Sequence, residues 1–357
     1  MPVLSVLDQS PIRSGGTAVD ALRETLELAQ AAERLGYHRY WLAEHHNTPG
    51  LAGSAPEILI GQVAGRTARI RVGAGGVMLS HYSPLKVAET FRMLHALYPG
   101  RIDLGLGRAP GTDLHAAQAL APGADPRDLE HFPEKVADLI GFLHDGLAPG
   151  HPFAGVRAMP DPPGAPEVWL LGSSDQSAAM AAYFGAAFAF AHFINSDGGD
   201  RITRAYARSF RPSPQLAAPR AAVAVFVVCA DTEAEARRLA RSRDLFLLWL
   251  STGRTGAYPS VEEAEAYPYT AREAPIIEYN RRRIIAGTPA QVRDRLLALG
   301  GDYGVDEFVV VTITHDFKAR LRSYELLAEA FGLPRGEPGR EPAPLGRPSV
   351  DKAAGGV

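Results

Sequence analysis

Segments whose apolar residues recur every three to four positions alternate along this chain with short runs that are apolar throughout, and a glycine commonly separates the two. Over 19–35 the residues Leu22, Leu26, Ala29 and Glu33 are spaced helically, Gly36 stands where a helix-stopping glycine belongs, and 40–43 reads as a buried strand. The unit recurs as a helix ending near Tyr98, the pair Pro99-Gly100, and a strand over 102–106. It recurs as a helix through Tyr183, then Gly185 and a strand over 186–193, and again as a helix over 292–299, the pair Gly300-Gly301 and a strand over 308–311. Ser54 with Glu57 and Thr288 with Gln291 have the spacing of capping boxes, and Ser83 precedes Pro84, a residue suited to the first helical position. Strands apolar on both faces that alternate with helices call for a parallel sheet covered on both sides. Eight strand starts, near Val3, Tyr40, Ile70, Ile102, Val168, Ala186, Ala222 and Glu307, fit a closed (β/α)8 TIM barrel better than an open sheet.

Two segments leave this pattern. Residues 251–286 are polar, carry aromatics and are broken by prolines, and they follow the seventh strand, 222–229. An insertion of that length predicts an active-site lid, and a solvated loop fits the same composition. Residues 333–357 are rich in Pro and Gly, which predicts a disordered tail behind one barrel domain spanning 1–332. Hydrophobic residues make up 46% of the chain and charged ones 22%, with a formal charge of −3. That balance gives no electrostatic drive toward nucleic acid or an anionic membrane. The single cysteine, Cys229, excludes an intrachain disulfide and a cysteine-built zinc site. The N-terminal residues lack a signal peptide's basic and apolar regions, so a cytoplasmic location is expected.

In a barrel the chemistry belongs at the C-terminal ends of the strands. The second strand ends in Glu44, His45 and His46; alternation places Trp41, Ala43 and His45 on one face and Leu42 and Glu44 on the other. His45 therefore faces the crowded lumen, where an imidazole can move protons near neutrality; a hydrogen-bonded structural histidine fits the same position. The Glu44, His45, His46 trio also suggests a metal site, but neighbouring strand residues face opposite ways and the HExxH spacing is absent. The third strand holds Gly73, Gly75 and Gly76, which implies a bulge or a close ligand; Met78 occupies the third glycine position of a dinucleotide fingerprint, so that motif fails. Arg108 after the fourth strand offers a planar cation to a phosphate and equally fits a surface arginine. Gly172, Ser173, Ser174, Asp175, Gln176 and Ser177 lead from the fifth strand into a helix, forming an anion site or an ordinary cap, with Asp175 opposing a phosphate. Asp8, Gln9, Ser10, His81 and His192 also follow strands and are expected at the mouth.

Taken in order, Tyr40-Trp-Leu-Ala-Glu-His-His-Asn47, Val72-Gly-Ala-Gly-Gly-Val77 leading to Ser83-Pro-Leu-Lys-Val-Ala-Glu89, and Gly100-Arg-Ile-Asp-Leu-Gly-Leu-Gly-Arg108 resemble the bacterial luciferase-like flavin-dependent monooxygenases. The resemblance runs from Leu4 to about Phe331, and the opening Leu7-Asp-Gln-Ser-Pro-Ile12 is similar to the subgroup that includes MsnO8-like proteins. It implies that His45, with His46 beside it, acts near the flavin, and that Gly75-Gly76 forms a non-prolyl cis peptide against the ring. It also implies that Arg108, Ser174 and Ser177 hold the FMN phosphate, with Gly172 and Ser173 in the same cofactor site, although the family often has a glutamate at the place of Ser173. His81, His192 and the lid would shape a pocket for an organic substrate. The implied reaction uses reduced FMN, supplied by a separate flavin reductase, together with O₂; a homodimer is expected. A deazaflavin-dependent dehydrogenase on the same fold, a non-catalytic flavin-binding protein and a metal-dependent hydrolase are the competing readings.

Overall fold

The computed structural model describes residues 2–123 and 131–335. Among them are nine strands: β1 (Val3–Asp8), β2 (Arg39–Leu42), β3 (Arg71–Met78), β4 (Ile102–Gly107), β5 (Glu167–Gly172), β6 (Ala187–Ala191), β7 (Ala221–Cys229), β8 (Ile284–Gly287) and β9 (Glu307–Val311). All pair in parallel, and eight close a ring, because β9 bonds to β7 on one edge and to β1 on the other while β6 bonds to β7. Helices join successive strands and cover the outside, so the chain is a (β/α)8 TIM barrel. The eight strands expected from the pattern are the eight of the ring.

β8 is the strand that the pattern misses. It begins at the end of 251–286, a segment that also forms the helices Val261–Ala266 and Ala274–Arg281, and runs one residue past it. β7 continues past the reach of β6, whose pairing ends at Ala191 with Ala224. Phe226 pairs with Val311 on one edge and Ile284 on the other, so β8 covers the edge that β6 leaves bare. The segment is docked at two further places. Leu245, Leu248 and Trp249 of the helix Glu233–Ser251 pack on Ala264 and Ile277, and Tyr258 exchanges backbone bonds with Ile12 and Ser14.

Three local expectations are corrected. Ser54 does not cap a helix: Ala55 holds that position before Pro56–Ala64, without a side-chain bond. Ser83 likewise makes no capping bond, and Pro84 opens its helix as expected. Gly300-Gly301 does not end its helix, which runs Pro289–Tyr303 and stops at Gly304 with φ 67°. Gly300 serves packing instead, since a Cβ there would lie 2.8 Å from Phe308 Cζ. Thr288 and Gln291 do form a capping box. Leu333 packs on the core and Pro334 abuts Gly36; the rest of the expected tail lies outside the described residues.

Strand alternation divides the apolar residues between two layers. Leu4, Val6, Tyr40, Leu42, Leu104, Phe188, Val223 and Phe308 face the helices, whereas Leu7, Trp41, Trp169, Ala189, Ala224 and Val309 face the lumen. The lumen's lower end is ionic. Arg39, 2% exposed, bonds Asp103 (2.8 Å), Glu307 (2.7 Å) and Glu167 (3.1 Å), and Arg71 adds a second cation on Asp103. Trp41 and Trp169 stand above in edge contact at 5.2 Å, their indole N–H groups donating to Asp103 and Glu167. Above the tryptophans the lumen opens into a cavity. No helix among the described residues is long and apolar enough to cross a membrane.

Candidate active site

The open space is a cavity of about 450 Å³ at the C-terminal mouth, within the range of small-ligand sites. Small inward residues create it: Ala189 and Ala191 on β6 and Ala224 on β7 form one wall, and Trp41 forms the floor. His45, Gly75, Gly76, Arg108, Gly172, Ser173, Ser174 and Ser177 all line it. Residues far apart in the chain thus share one rim.

β3 reaches the cavity through a bulge. Ala74 pairs with Leu104 and Val77 with Leu106, so Gly75 and Gly76 together oppose the single residue Gly105. The Gly75-Gly76 peptide bond is cis. A Cβ on Gly76 would lie 2.7 Å from Gly105 O, and one on Gly75 would lie 2.8 Å from Leu7 Cδ1. Only glycines fit here, and they leave a flat, side-chain-free face toward the cavity.

On β5's side, the helix Asp175–Phe184 begins within the serine turn. Ser174 is its N-cap, and Ser174 and Ser177 form a capping box. The helix starts three residues earlier than the pattern suggests, at Asp175 and not Ala178, so Ser177 already lies in its first turn. Gly172 permits this packing, because a Cβ there would sit on Ser177 Oγ. Arg108, from the end of β4, reaches across to Gln176 (2.6 Å). A guanidinium, serine hydroxyls and a helix N-terminus therefore converge on one corner of the cavity, a combination suited to an anion. Asp175 points elsewhere, bonding Gln176 N–H at 2.9 Å, and does not line the cavity.

His45 is half-buried, its N–H held by Gly53 O at 2.8 Å, and its Nδ1 has no partner. Burial, and then the neighbouring His46, push the imidazole down to about 4. Its neutral form is therefore the resident one at physiological pH. Glu44, 2% exposed, was missed as a functional position: Oε2 accepts Met78 N–H (2.9 Å), and Oε1 accepts the Tyr82 hydroxyl (2.7 Å) and His46 Nε2 (2.7 Å). It ties the end of β3 to the loop beyond β2. No local pattern announces the tie to β3, because Met78 and Tyr82 lie 34 and 38 residues away.

Five residues expected at the mouth, His46, His81, His192, Asp8 and Ser10, do not line the cavity. His46 turns away to Glu44. His81 sits in the turn Leu79–His81, which carries it off β3's inward face, and its Nε2 meets Pro110 O at 2.7 Å. His192 continues the outward set Phe188 and Phe190, packs against Tyr303 at 6.1 Å, and is pushed down to about 4 by burial, Arg283 and Arg295. Asp8 and Ser10 are structural. Burial alone would raise the Asp8 carboxyl, but Arg320, Tyr40 and the Ser10 N–H hold it below its ordinary value. Gln9 does reach the cavity, and Met78, Phe193 and Ile194 complete its apolar wall. No residue of 251–286 lines it.

The family model described as luciferase-like monooxygenase matches residues 3–307. The N-acetyl-S-alkylcysteine monooxygenase of Bacillus subtilis is 42% identical over 330 residues, covering 92% of this chain and 97% of that protein. The crystal structure of apo-MsnO8 superposes with a TM-score of 0.87 at 42% identity, covering 94% of this chain and 100% of that one. The oxygenating constituent of 3,6-diketocamphane monooxygenase from Pseudomonas putida, solved in complex with FMN, shares the fold at 21% identity and a TM-score of 0.65, covering 92% and 97%.

Proposed function

This chain belongs to the luciferase-like monooxygenase family, and from that premise we propose that it binds FMN in the mouth cavity and uses the reduced flavin with O₂ to oxidise a small organic substrate. One observation carries the reading: His45, the Gly75-Gly76 bulge, Arg108 and the serine turn line the same cavity. The residues fit the cofactor. The glycine face accepts a flat ring, the unpartnered His45 Nδ1 awaits a polar group, and the Arg108 corner suits a phosphate.

The flavin, when bound, supplies the electrons and the reaction with O₂. Arg108, with Ser174, Ser177 and the helix N-terminus, would fix the phosphate and so set where the ring lies. His45 would take or hold a proton at its Nδ1 edge, an effect on the order of 10²–10⁴ in rate. Met78, Phe193 and Ile194 would exclude water from the reacting face. A separate flavin reductase as supplier of reduced FMN, a homodimer, a cytoplasmic location and a single domain over 1–332 belong to the same reading. The relative named for N-acetyl-S-alkylcysteines makes thioethers of that kind the first substrates to try.

The test supplies FMN or a deazaflavin, with its reductase, to the purified protein and follows oxygen uptake and product. The proposal expects substrate oxidation that requires FMN and O₂. Oxygen-independent turnover with the deazaflavin alone would replace it with the dehydrogenase reading.

A further inference from the structure

Next to the mouth, two arginines lie side by side with no counter-ion among the described residues. Arg243, on the helix Glu233–Ser251, is 1% exposed. Its Nη1 donates to Asn280 O at 3.0 Å, and its guanidinium carbon lies 4.5 Å from the Phe226 ring centroid. Arg283 donates to Asn280 Oδ1 and, through Nη1, to the carbonyls of Phe193 and Ile194. Neither arginine has a carboxylate within ion-pair distance among the described residues; Asp244, whose charge Arg243 feels, is held through Oδ2 by Arg281 at 2.6 Å, and its Oδ1 is buried without a partner. Burial brings the Arg243 guanidinium down to about 10, opposed by Tyr258 and Asp244 and reinforced by Arg283.

The corner has more donors than acceptors. Arg243 Nε, Arg283 Nε and Asn280 Nδ2 are buried without a partner. Unpaired buried cations and N–H groups are costly, and a ligand rich in acceptors removes that cost. Arg243, Asn280, Arg283 and Phe226 do not line the cavity, but the corner adjoins its wall: Phe193 and Ile194, whose carbonyls Arg283 holds, do line it, and Phe226 stands two residues beyond the cavity-lining Ala224 on the same face of β7.

Resting on the reading of the cavity as a flavin and substrate site, we propose that the Arg243, Asn280 and Arg283 corner recognises a carboxylate carried by the substrate, reached when the Phe226 ring turns aside. The enzyme's substrates are then organic acids, and removing the negative charge weakens their binding.

The experiment measures binding by intrinsic fluorescence, with FMN present, for N-acetyl-S-methylcysteine, its methyl ester and inorganic phosphate. FMN affinity is measured separately. The acid should bind roughly 10- to 100-fold more tightly than the ester. Arg243→Met and Arg283→Gln should each erase that preference and leave FMN affinity unchanged, Arg283→Gln serving should the first variant unfold. Equal binding of acid and ester by wild-type protein that binds FMN overturns this proposal and leaves the flavin reading intact. Phosphate competing with the acid at equal concentration also overturns it, since the corner is then a site for free anions. Failure to bind FMN at all contradicts the cofactor reading instead.

Discussion

A neutral imidazole with one free nitrogen is the side chain at the mouth best placed to handle a proton. His45→Ala should lower kcat by roughly 10²–10⁴ while FMN affinity changes little, as steady-state kinetics and flavin titration would show. Equal turnover in wild type and variant would remove His45 from the chemistry. The same burial gives an acid response. His45 and His192 both sit near 4 in the folded chain against an ordinary 6.5. The unfolded chain therefore takes up protons below 6.5 that the folded one refuses until about 4, so stability falls as pH drops through that window. Urea midpoints should decline from pH 7 to pH 5, and less steeply in His192→Phe; an unchanged slope in the variant would show that His192 contributes nothing. His192 also shows what alternation can reveal. Ala187, Ala189 and Ala191 fix the inward set of β6, so residue 192 faces outward, and that parity is readable from the chain alone.

Among the elements, the end of β3 depends on Glu44. Glu44→Ala leaves the Met78 N–H and the Tyr82 hydroxyl without their acceptor, at a cost of about 1–3 kcal/mol. The loosened bulge should also weaken FMN binding, whereas Glu44→Gln, which keeps an acceptor for Met78, should lose less. Calorimetry and flavin titration on both variants check this; equal FMN affinity in wild type and Glu44→Ala would sever the link. Helical periodicity and all-apolar runs sufficed to find every strand of the ring, because burial on both faces writes itself into consecutive residues. β8 escaped for the opposite reason. It is four residues long, follows three arginines, and exists because β7 leaves an edge for it, a fact of tertiary structure. Gly300 misled because packing and helix termination select the same residue.

For the whole barrel, the lumen is a column of three tiers: ions, tryptophans, cavity. Arg39→Met would leave Asp103 and Glu307 buried with one cation fewer, and should destabilise the fold by about 3–5 kcal/mol in urea. Loss of less than 1 kcal/mol would mean that the floor relaxes without its arginine. This tier was invisible in the chain, since residues 39, 71, 103, 167 and 307 meet only on closure. The cavity's rim was legible because each strand end could be read in turn, and the resemblance told which ends to combine. Its central assignment, a phosphorylated flavin anchored by Arg108 and the serine turn, is tested most directly by titrating the protein with FMN and with riboflavin. FMN should bind one to one and roughly 10- to 100-fold more tightly than riboflavin, with Arg108→Ala and Ser174→Ala together removing the difference. Equal affinity for the two flavins, or a preference untouched by those substitutions, would contradict the assignment.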